Sequence, residues 1–382
     1  MARAITWDEL RQLAAFEAEK GCAISLYLGL DPAAATGAAA GDAHTLLNSL
    51  LDEGAKADGA TARELSHEQR EGLRADFDRI RRYIAEELDR EGAHGLAIFS
   101  AGLDNVWRAF PLTERVPDGI KVHRELYLAP LVPLVGRGEG ALVVVVGRER
   151  GRFYRLRAGR LEEIADRFEE QPRRHDQGGW SQARLQRHAD GLAHGHLRTV
   201  ADELERLLRW LHGPQVVVVA SEATWAEFSA LLSQETKGAI AGWTPADAHA
   251  STAELLALAT PVLESWRAAR EAETVERWRE ESGRDGRAAG GWRKTLEAAS
   301  DGRIELLLFQ EGTDHPAWRC PACGRVSAEG GKCPLDGTHM DRHEEGLDLA
   351  VHRTLAHGGT VWALRHRHDL SEAEGIGALL RF

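Results

Sequence analysis

The sequence predicts a mixed α/β and α+β chain of three domains, with a small metal-binding lobe inserted in the third. Three observations carry this. Short apolar runs (Ala23–Leu30, Leu96–Phe99, Ala141–Val146, Val216–Ala220, Ile304–Phe309, Val361–Leu364) alternate with longer segments whose apolar residues recur at helical spacing, the pattern of helices layered on sheets. At 382 residues the chain is long for a single domain, domains holding about 100–200 residues each. Three of its four cysteines fall within fourteen positions, which suits a metal better than a disulfide framework. The domains are expected at 1–136, 137–265 and 266–382, with the cysteine insert at 318–343.

In the first domain, residues 1–20 have the pattern of an amphipathic helix, and Ala23–Leu30 alternates like a strand that stops at Asp31-Pro32. A small-residue linker follows (33–43). Helices are expected at 43–58, on Leu46, Leu47, Leu50 and Leu51, and at 68–92, on Leu73, Phe77, Ile80, Tyr83 and Ile84. Strands are expected at Leu96–Phe99, Val106–Leu112 and Leu126–Leu134.

The second domain opens with the buried-strand signal Ala141–Val146. A hairpin follows, Arg152–Leu156 with Arg160–Ile164, turning at Ala158-Gly159. Residues 165–182 lack an apolar period and predict a polar loop. A long helix is expected over 183–212, through Gly191 and Gly195, then a strand at Val216–Ala220, a helix at 223–233 and the run Ile240–Trp243. Glu254–Arg277 is helical. In the third domain, helices at Arg293–Ala299 and Asp348–Ala356 alternate with strands at Ile304–Phe309 and Val361–Leu364.

Charge sets the first functional limit. With 48 Lys+Arg against 60 Asp+Glu, the formal net charge is -12, the wrong sign for a generic nucleic-acid binder. The average hides a local feature. Residues 171–198 hold Arg173, Arg174, Arg184, Arg187 and Arg198 against Asp176 and Asp190, a local net of +3, with His175, His188, His194 and His196 among them. Arg greatly outnumbers Lys; Arg is the better bidentate partner for phosphate, although a GC-rich genome produces the same bias. The longest apolar run, Ala141–Val146, is far below the ~20 residues of a membrane helix. The N-terminus has no signal-peptide core. A cytoplasmic location is therefore expected.

The sharpest chemical motif is Cys320-x2-Cys323-x9-Cys333-x2-Asp336. Cys-Pro-Ala-Cys followed by Gly324 is a zinc knuckle, two thiolates on one tight turn aimed at a tetrahedral ion. A second knuckle would end in Cys, and here Asp336 stands in that place. His339 and His343 are also within reach as the fourth ligand. A structural Zn2+ that staples a small lobe fits this set; a catalytic ion would need an open position, and residual thiols without metal are the other alternative. Cys22, beside a strand, is expected to be buried and inert.

The second motif is His175–Gln182, HDQGGWSQ. Gly178-Gly179 permit torsions and close approaches that other residues forbid. Gln182 offers a neutral donor and acceptor suited to positioning water, and Trp180 offers a stacking face. The bland alternative is a surface loop entering a helix with Ser181 as N-cap. No P-loop is present, so intrinsic nucleotide hydrolysis is not expected.

The order of these segments resembles the eukaryotic and archaeal class-1 peptide chain release factors and the Pelota-like rescue factors. It is most similar to the bacterial and archaeal release-factor-like proteins, which also resemble the peptidyl-tRNA hydrolases of eukaryotic ribosome quality control. Ala23–Leu30 resembles the first strand of the N-terminal domain and Leu142–Leu156 the opening hairpin of the central domain. GGWSQARLQRH resembles the Gly-Gly-Gln loop running into its helix, and Gly375–Phe382 the end of the third domain.

The resemblance implies a release-factor-like architecture that binds the ribosomal A site in a tRNA-like shape. Gly178, Gly179 and Gln182 would position water against the ester of peptidyl-tRNA. Arg173, Arg174, His175, Trp180, Arg184, Arg187 and His188 would contact RNA. The implied partners are the ribosome, rRNA and tRNA, with room for a translational GTPase, and neither membrane nor DNA. Two departures matter. Trp180 and Ser181 separate Gly179 from Gln182, as in the shifted glutamine of the quality-control hydrolases, and Glu53–Ser66 lacks an Asn-Ile-Lys-Ser stop-codon motif. The expected function is therefore codon-independent peptidyl-tRNA hydrolysis in ribosome rescue. The alternative is non-catalytic A-site binding for hibernation or protection.

Overall fold

The structure, a computed structural model, describes residues 5–30, 38–57, 65–135, 140–157, 159–168, 181–211, 214–246, 250–284, 286–367 and 369–382, the side chains of 38–44 and 181–190 excepted. Two compact units divide the chain: Met1–Arg137 together with Glu271–Phe382, and Gly138–Arg270. Among the described residues, no helix is long and apolar enough to cross a membrane.

Helix α1 (Trp7–Ala14) begins at a capping box in which Thr6 and Glu9 satisfy each other's backbone N–H groups. It is shorter than the predicted 1–20. Glu17 bridges Glu125 and the Ala18 N–H donates to Arg124 O at 2.7 Å, so pairing with a distant strand end overrides the helical period. Strand β1 (Ala23–Gly29) is buried almost throughout. Helix α2 (Ala38–Ala57) starts inside the predicted linker, because alanine favours helix most strongly. Helix α3 (His67–Arg82) carries a Ser66–Gln69 capping box and closes in a π turn at Tyr83–Glu87, short of residue 92. Strands β2 (Gly95–Ala101), β3 (Val106–Leu112) and β4 (Gly119–His123) complete an antiparallel sheet of order β3-β2-β1-β4. The strand predicted at Leu126–Leu134 is absent; Ala129–Leu134 is a 3-10 helix. Pro130 and Pro133 have no N–H to give a ladder.

The second unit holds a five-stranded sheet of order β7-β6-β5-β8-β9. Strand β5 (Leu142–Val146) is parallel to β8 (Val216–Ala220), and β8 to β9 (Ile240–Thr244). Both β5 and β8 are wholly buried, which explains their unbroken apolar composition. The hairpin β6 (Arg150–Arg157) and β7 (Arg160–Phe168) is longer than predicted, so residues 165–168 are strand rather than loop. Helix α4 (Ser181–Trp210) continues unbroken through Gly191 and Gly195, about 45 Å at 1.5 Å per residue. It buries Leu197, Val200, Leu204 and Leu207 with Val144, Phe153 and Val218. A Cβ on Gly151 would lie 2.5 Å from Val200 Cγ2, so glycine is what lets the helix approach β6. The helix expected at 223–233 is α5 (Glu222–Leu231), and a further short helix, α6 (Gln234–Ala239), follows it before β9; each is capped by a serine. Helix α7 spans Thr252–Gly283.

The C-terminal half of the first unit contains a sheet of order β10-β16-β11-β15. Its strands are β10 (Ala288–Gly290), β11 (Ile304–Gln310), β15 (Thr360–Leu364) and β16 (Ile376–Leu380), with helices α8 (Trp292–Ser300) and α9 (Gly346–Ala356). The insert folds as three short strands, which keep their place in chain order as β12 (Ala317–Arg319), β13 (Val326–Ser327) and β14 (Asp341–His343).

One apolar cluster joins the two halves of this unit. Leu10, Tyr27, Phe99, Leu128 and Leu131 share it with Trp292, Leu296, Leu307, Leu349 and Ile376, and each such burial is worth about 1.5–3 kcal/mol. A polar clasp crosses the same seam. Asp348 Oδ1 accepts the N–H groups of Leu128 and Ala129 at 2.7 and 2.9 Å. The His352 ring lies with Nε2 2.6 Å from Leu126 O and 3.5 Å from Asp348 Oδ2, and Nδ1 3.3 Å from Ala14 O. Both ring nitrogens thus lie beside oxygen atoms of the N-terminal half of the unit.

Burial pushes the Asp348 carboxyl up to about 6, although His352 and the two N–H donors pull it down. In the unfolded chain an Asp titrates near 3.9. The folded state therefore holds this proton longer, and the group's contribution to stability is present at low pH and lost as pH rises through about 6. Unfolding of the wild type and Asp348→Asn by denaturant between pH 4 and pH 7 checks this. The stability difference should move against the wild type as pH rises, and a difference that stays flat would contradict it.

Candidate functional site

The cysteine lobe is built from two turns with the same backbone plan. In the first, the Cys320 N–H donates to Arg325 O at 2.8 Å and the Gly324 N–H to Cys320 O at 2.9 Å. In the second, the Cys333 N–H donates to Thr338 O at 2.7 Å and the Gly337 N–H to Cys333 O at 2.9 Å. Gly324 and Gly337 both have positive φ, 71° and 75°, where a side chain would strain the turn. Asp336 in the second turn therefore holds the position of Cys323 in the first.

Folding brings the four side chains together. One ligand atom from each of Cys320, Cys323, Cys333 and Asp336 lies within 4.8 Å of the others. Cys320 Sγ is 3.4 Å from Asp336 Oδ2, and Cys323 Sγ is 3.5 Å from Cys333 Sγ. The Thr338 N–H, 2.9 Å from Asp336 Oδ1, leads the interactions that hold this carboxyl well below the usual range, so it is ready to ligate. Three sulfurs and one carboxylate oxygen at this spacing can hold a metal ion with four protein ligands and no open position, the form of a structural site. Of the three candidates for the fourth ligand, Asp336 is the one in the cluster. His339 pairs with Lys332 in a β-bridge, and the His343 ring lies beside that of His123, tilted at 44° with centroids 6.2 Å apart. Cys22 lies outside the metal cluster and is half-buried at the edge of the core built on Ile24, Leu26 and Ile98, not fully buried as expected.

The lobe also makes contacts that motif reading misses. Arg319 Nη1 donates to Glu125 at 2.5 Å, and the Lys121 ammonium pairs with Glu345. These partners are 194 and 224 positions apart, beyond any local period.

Of the second motif, Arg173, Arg174, His175, Gly178, Gly179 and Trp180 lie outside the described residues. Gln182, Arg184, Arg187 and His188 fall within α4, their side chains outside the described set. Gln182 thus stands in the first turn of the helix, whereas a loop was predicted. Farther along, His194 and Arg198 are exposed but His196 is buried, 1% exposed. His196 does not belong to a charged tip. Its spacing with Ala193, Leu197 and Val200, all buried, marks it as part of the inward face, a signal present in the sequence.

Residues 127–264 match the model of bacterial archaeo-eukaryotic release factor family 10, so the central part of the chain is release-factor-like. No curated protein matches the chain. Among solved structures, the archaeal translation termination factor aRF1 is similar at 16% identity, covering 99% of each chain with a TM-score of 0.26. Pelota of Archaeoglobus fulgidus is similar at 15% identity, over 100% of this chain and 93% of its own, with a TM-score of 0.36. Archaeal Pelota, in a ribosome-bound model with ABCE1, is similar at 16% identity over 75% of this chain and 77% of its own, with a TM-score of 0.43.

Native mass spectrometry of the full chain should find one metal ion. Asp336→Ala should weaken its binding by more than the roughly 10–100-fold that loss of an outer-shell partner costs. His339→Ala and His343→Ala should leave it unchanged. Retention of full affinity by Asp336→Ala would remove Asp336 from the ligand set.

Proposed function

We propose that the protein is a codon-independent, ribosome-associated peptidyl-tRNA hydrolase that frees nascent chains from stalled or split ribosomes. One observation carries the reading: the family match over residues 127–264 encloses Gly178-Gly179-x-x-Gln182, which runs straight into the 30-residue helix α4. Residues 137–265 form the domain that delivers this motif; 1–136 and 266–382 are the domains before and after it in the chain, which share one core within a single compact unit. The Gln182 amide holds a water molecule; the water oxygen attacks the ester carbonyl, and the tRNA 3′ oxygen departs with a proton. Gly178 and Gly179 let the backbone close on the ester. Placement supplies most of the rate, and the ribosome and tRNA supply the rest.

Arg173, Arg174, His175, Trp180, Arg184, Arg187 and His188 contact rRNA and tRNA. The N-terminal end of α4 adds positive potential beside them. The metal is Zn2+, and its part is to hold the lobe at 318–343. A translational GTPase is a further candidate partner, argued from resemblance alone. The insertion of Trp180 and Ser181 before Gln182 favours one second reading, a non-catalytic A-site binder that protects idle ribosomes.

Release of labelled peptide from stalled ribosome complexes decides between them. The wild type should release peptide, and Gln182→Ala should slow release by about 10²–10³-fold, the usual cost of a positioned transition-state donor. Equal release by both would refute the role of Gln182. Ribosome binding without release by the wild type would establish the second reading. In sedimentation with ribosomes, replacing Arg173, Arg174, Arg184 and Arg187 by Gln should weaken binding and flatten its salt dependence by about four phosphate contacts' worth.

A further inference from the structure

We infer that the metal lobe is a clasp: its bound ion holds in place the residues that fasten the edge strand β4 to the C-terminal half of the same unit. The inference rests on the reading of Cys320, Cys323, Cys333 and Asp336 as metal ligands and extends it to a partner surface within the chain.

The lobe cannot hold itself together by burial. Its strands are two or three residues long, and its own apolar cluster is Cys320, Cys333 and Met340 with Trp318 packed beside them. Two of those four are ligands. Val326 of β13 is seated in the main core of the unit and bonded to Ser300, so burial ties down the middle of the lobe. The ligand turns on either side have only the small cluster, which does not offset the entropy of ordering them, so their order depends on the ion.

That order is passed on directly. Arg319 is the last residue of β12 and the neighbour of the first ligand, and it pairs in register with Asp341 of β14. Its guanidinium reaches across to Glu125 at 2.5 Å, with both side chains about three-quarters buried (25% and 22% exposed). Two residues beyond β14, Glu345 takes the Lys121 ammonium of β4. Between these two pairs the His123 and His343 rings lie near each other, tilted at 44° with centroids 6.2 Å apart. Three successive outward positions at the end of the edge strand, 121, 123 and 125, thus meet 345, 343 and 319. Partly buried pairs of this kind hold geometry better than exposed ones, but only while both partners are fixed. Strand β4 is fixed by its pairing with β1, and Glu125, two residues past it, by its bridge to Glu17. Arg319 and the 341–345 run are fixed at one end by α9 and at the other by the metal turns.

Hydrogen exchange on the full chain, with metal content measured in parallel, tests the clasp. With one ion bound, removal by EDTA should speed exchange about tenfold in 317–343 and also in 119–126, as a local opening would; restoring Zn2+ should reverse both. The double variant Arg319→Gln, Glu345→Gln should keep its ion yet exchange faster in 119–126. If EDTA loosens 317–343 alone, or if the double variant leaves 119–126 as protected as in the wild type, the clasp is refuted and the metal site stands. If the chain carries no ion and takes up none from added Zn2+, both the metal reading and the clasp fall.

Discussion

A buried carboxylate must find its donors inside the protein, and Asp348 finds them in the other half of its unit. Its partners are the N–H groups of Leu128 and Ala129, some 220 positions earlier in the chain, and the ring of His352 one helical turn on. Leaving such a group without partners costs about 1–3 kcal/mol, more when it is charged. Apolar contact between the halves is tolerant of sliding, because hydrophobic burial has no direction. The hydrogen bonds are not tolerant, since a shift of one residue would remove both donors from Oδ1. The same seam positions the His352 ring between carbonyls of α1's end and Leu126. The clasp therefore sets the register that the shared core then fills.

The metal lobe follows the same logic with different chemistry. Three thiols and a carboxylate gathered within 4.8 Å repel one another once ionised, and a cation reconciles them. The two turns are near copies in backbone hydrogen bonding, so replacing the fourth sulfur by Asp336 alters the donor without altering the frame. The donors are also unequally placed. Cys320 and Cys333 are buried, whereas Cys323 and Asp336 are exposed, so an ion held there faces solvent on the side of its oxygen ligand.

Much of this was legible in the sequence wherever a local rule governs. Val216–Ala220 was found to the residue, because a strand buried on both faces is written as unbroken apolar sequence. Cys320, Cys323 and Cys333 are legible as ligands because knuckle spacing is set by the turn itself, while the fourth ligand stays open in the sequence among Asp336, His339 and His343. Legibility failed where distant partners decide. The helix at 1–20 was cut short by pairing at residues 124 and 125. Leu126–Leu134 has strand-like alternation, but two prolines and the Asp348 carboxylate turn it into a 3-10 helix. His196 lies among the basic residues of 171–198 in the sequence, but its helical spacing places it with Leu197 and Val200 on the inner face.

The arginine excess has a different meaning once ion pairs are on view. Arg167 and Arg206 both bind Glu203, at 2.9 and 2.6 Å, and that side chain is only 6% exposed. Arg206 is the foremost cause holding the Glu203 carboxyl below its ordinary range. Arg279 and Arg367 share Asp369, Arg150 holds Asp166, and Arg365 holds Glu311. An arginine so engaged cannot turn to a phosphate without leaving its carboxylate behind, and for Glu203 that carboxylate would be stranded in the interior. The preference for Arg over Lys thus serves planar, bidentate pairing within the protein. These partners have to be subtracted before basic residues are counted as RNA contacts. The net charge of -12 then describes a body in which a number of arginines are already paired with carboxylates. Any phosphate recognition falls to arginines not committed in this way, and the cluster at 171–198 is where the sequence concentrates candidates.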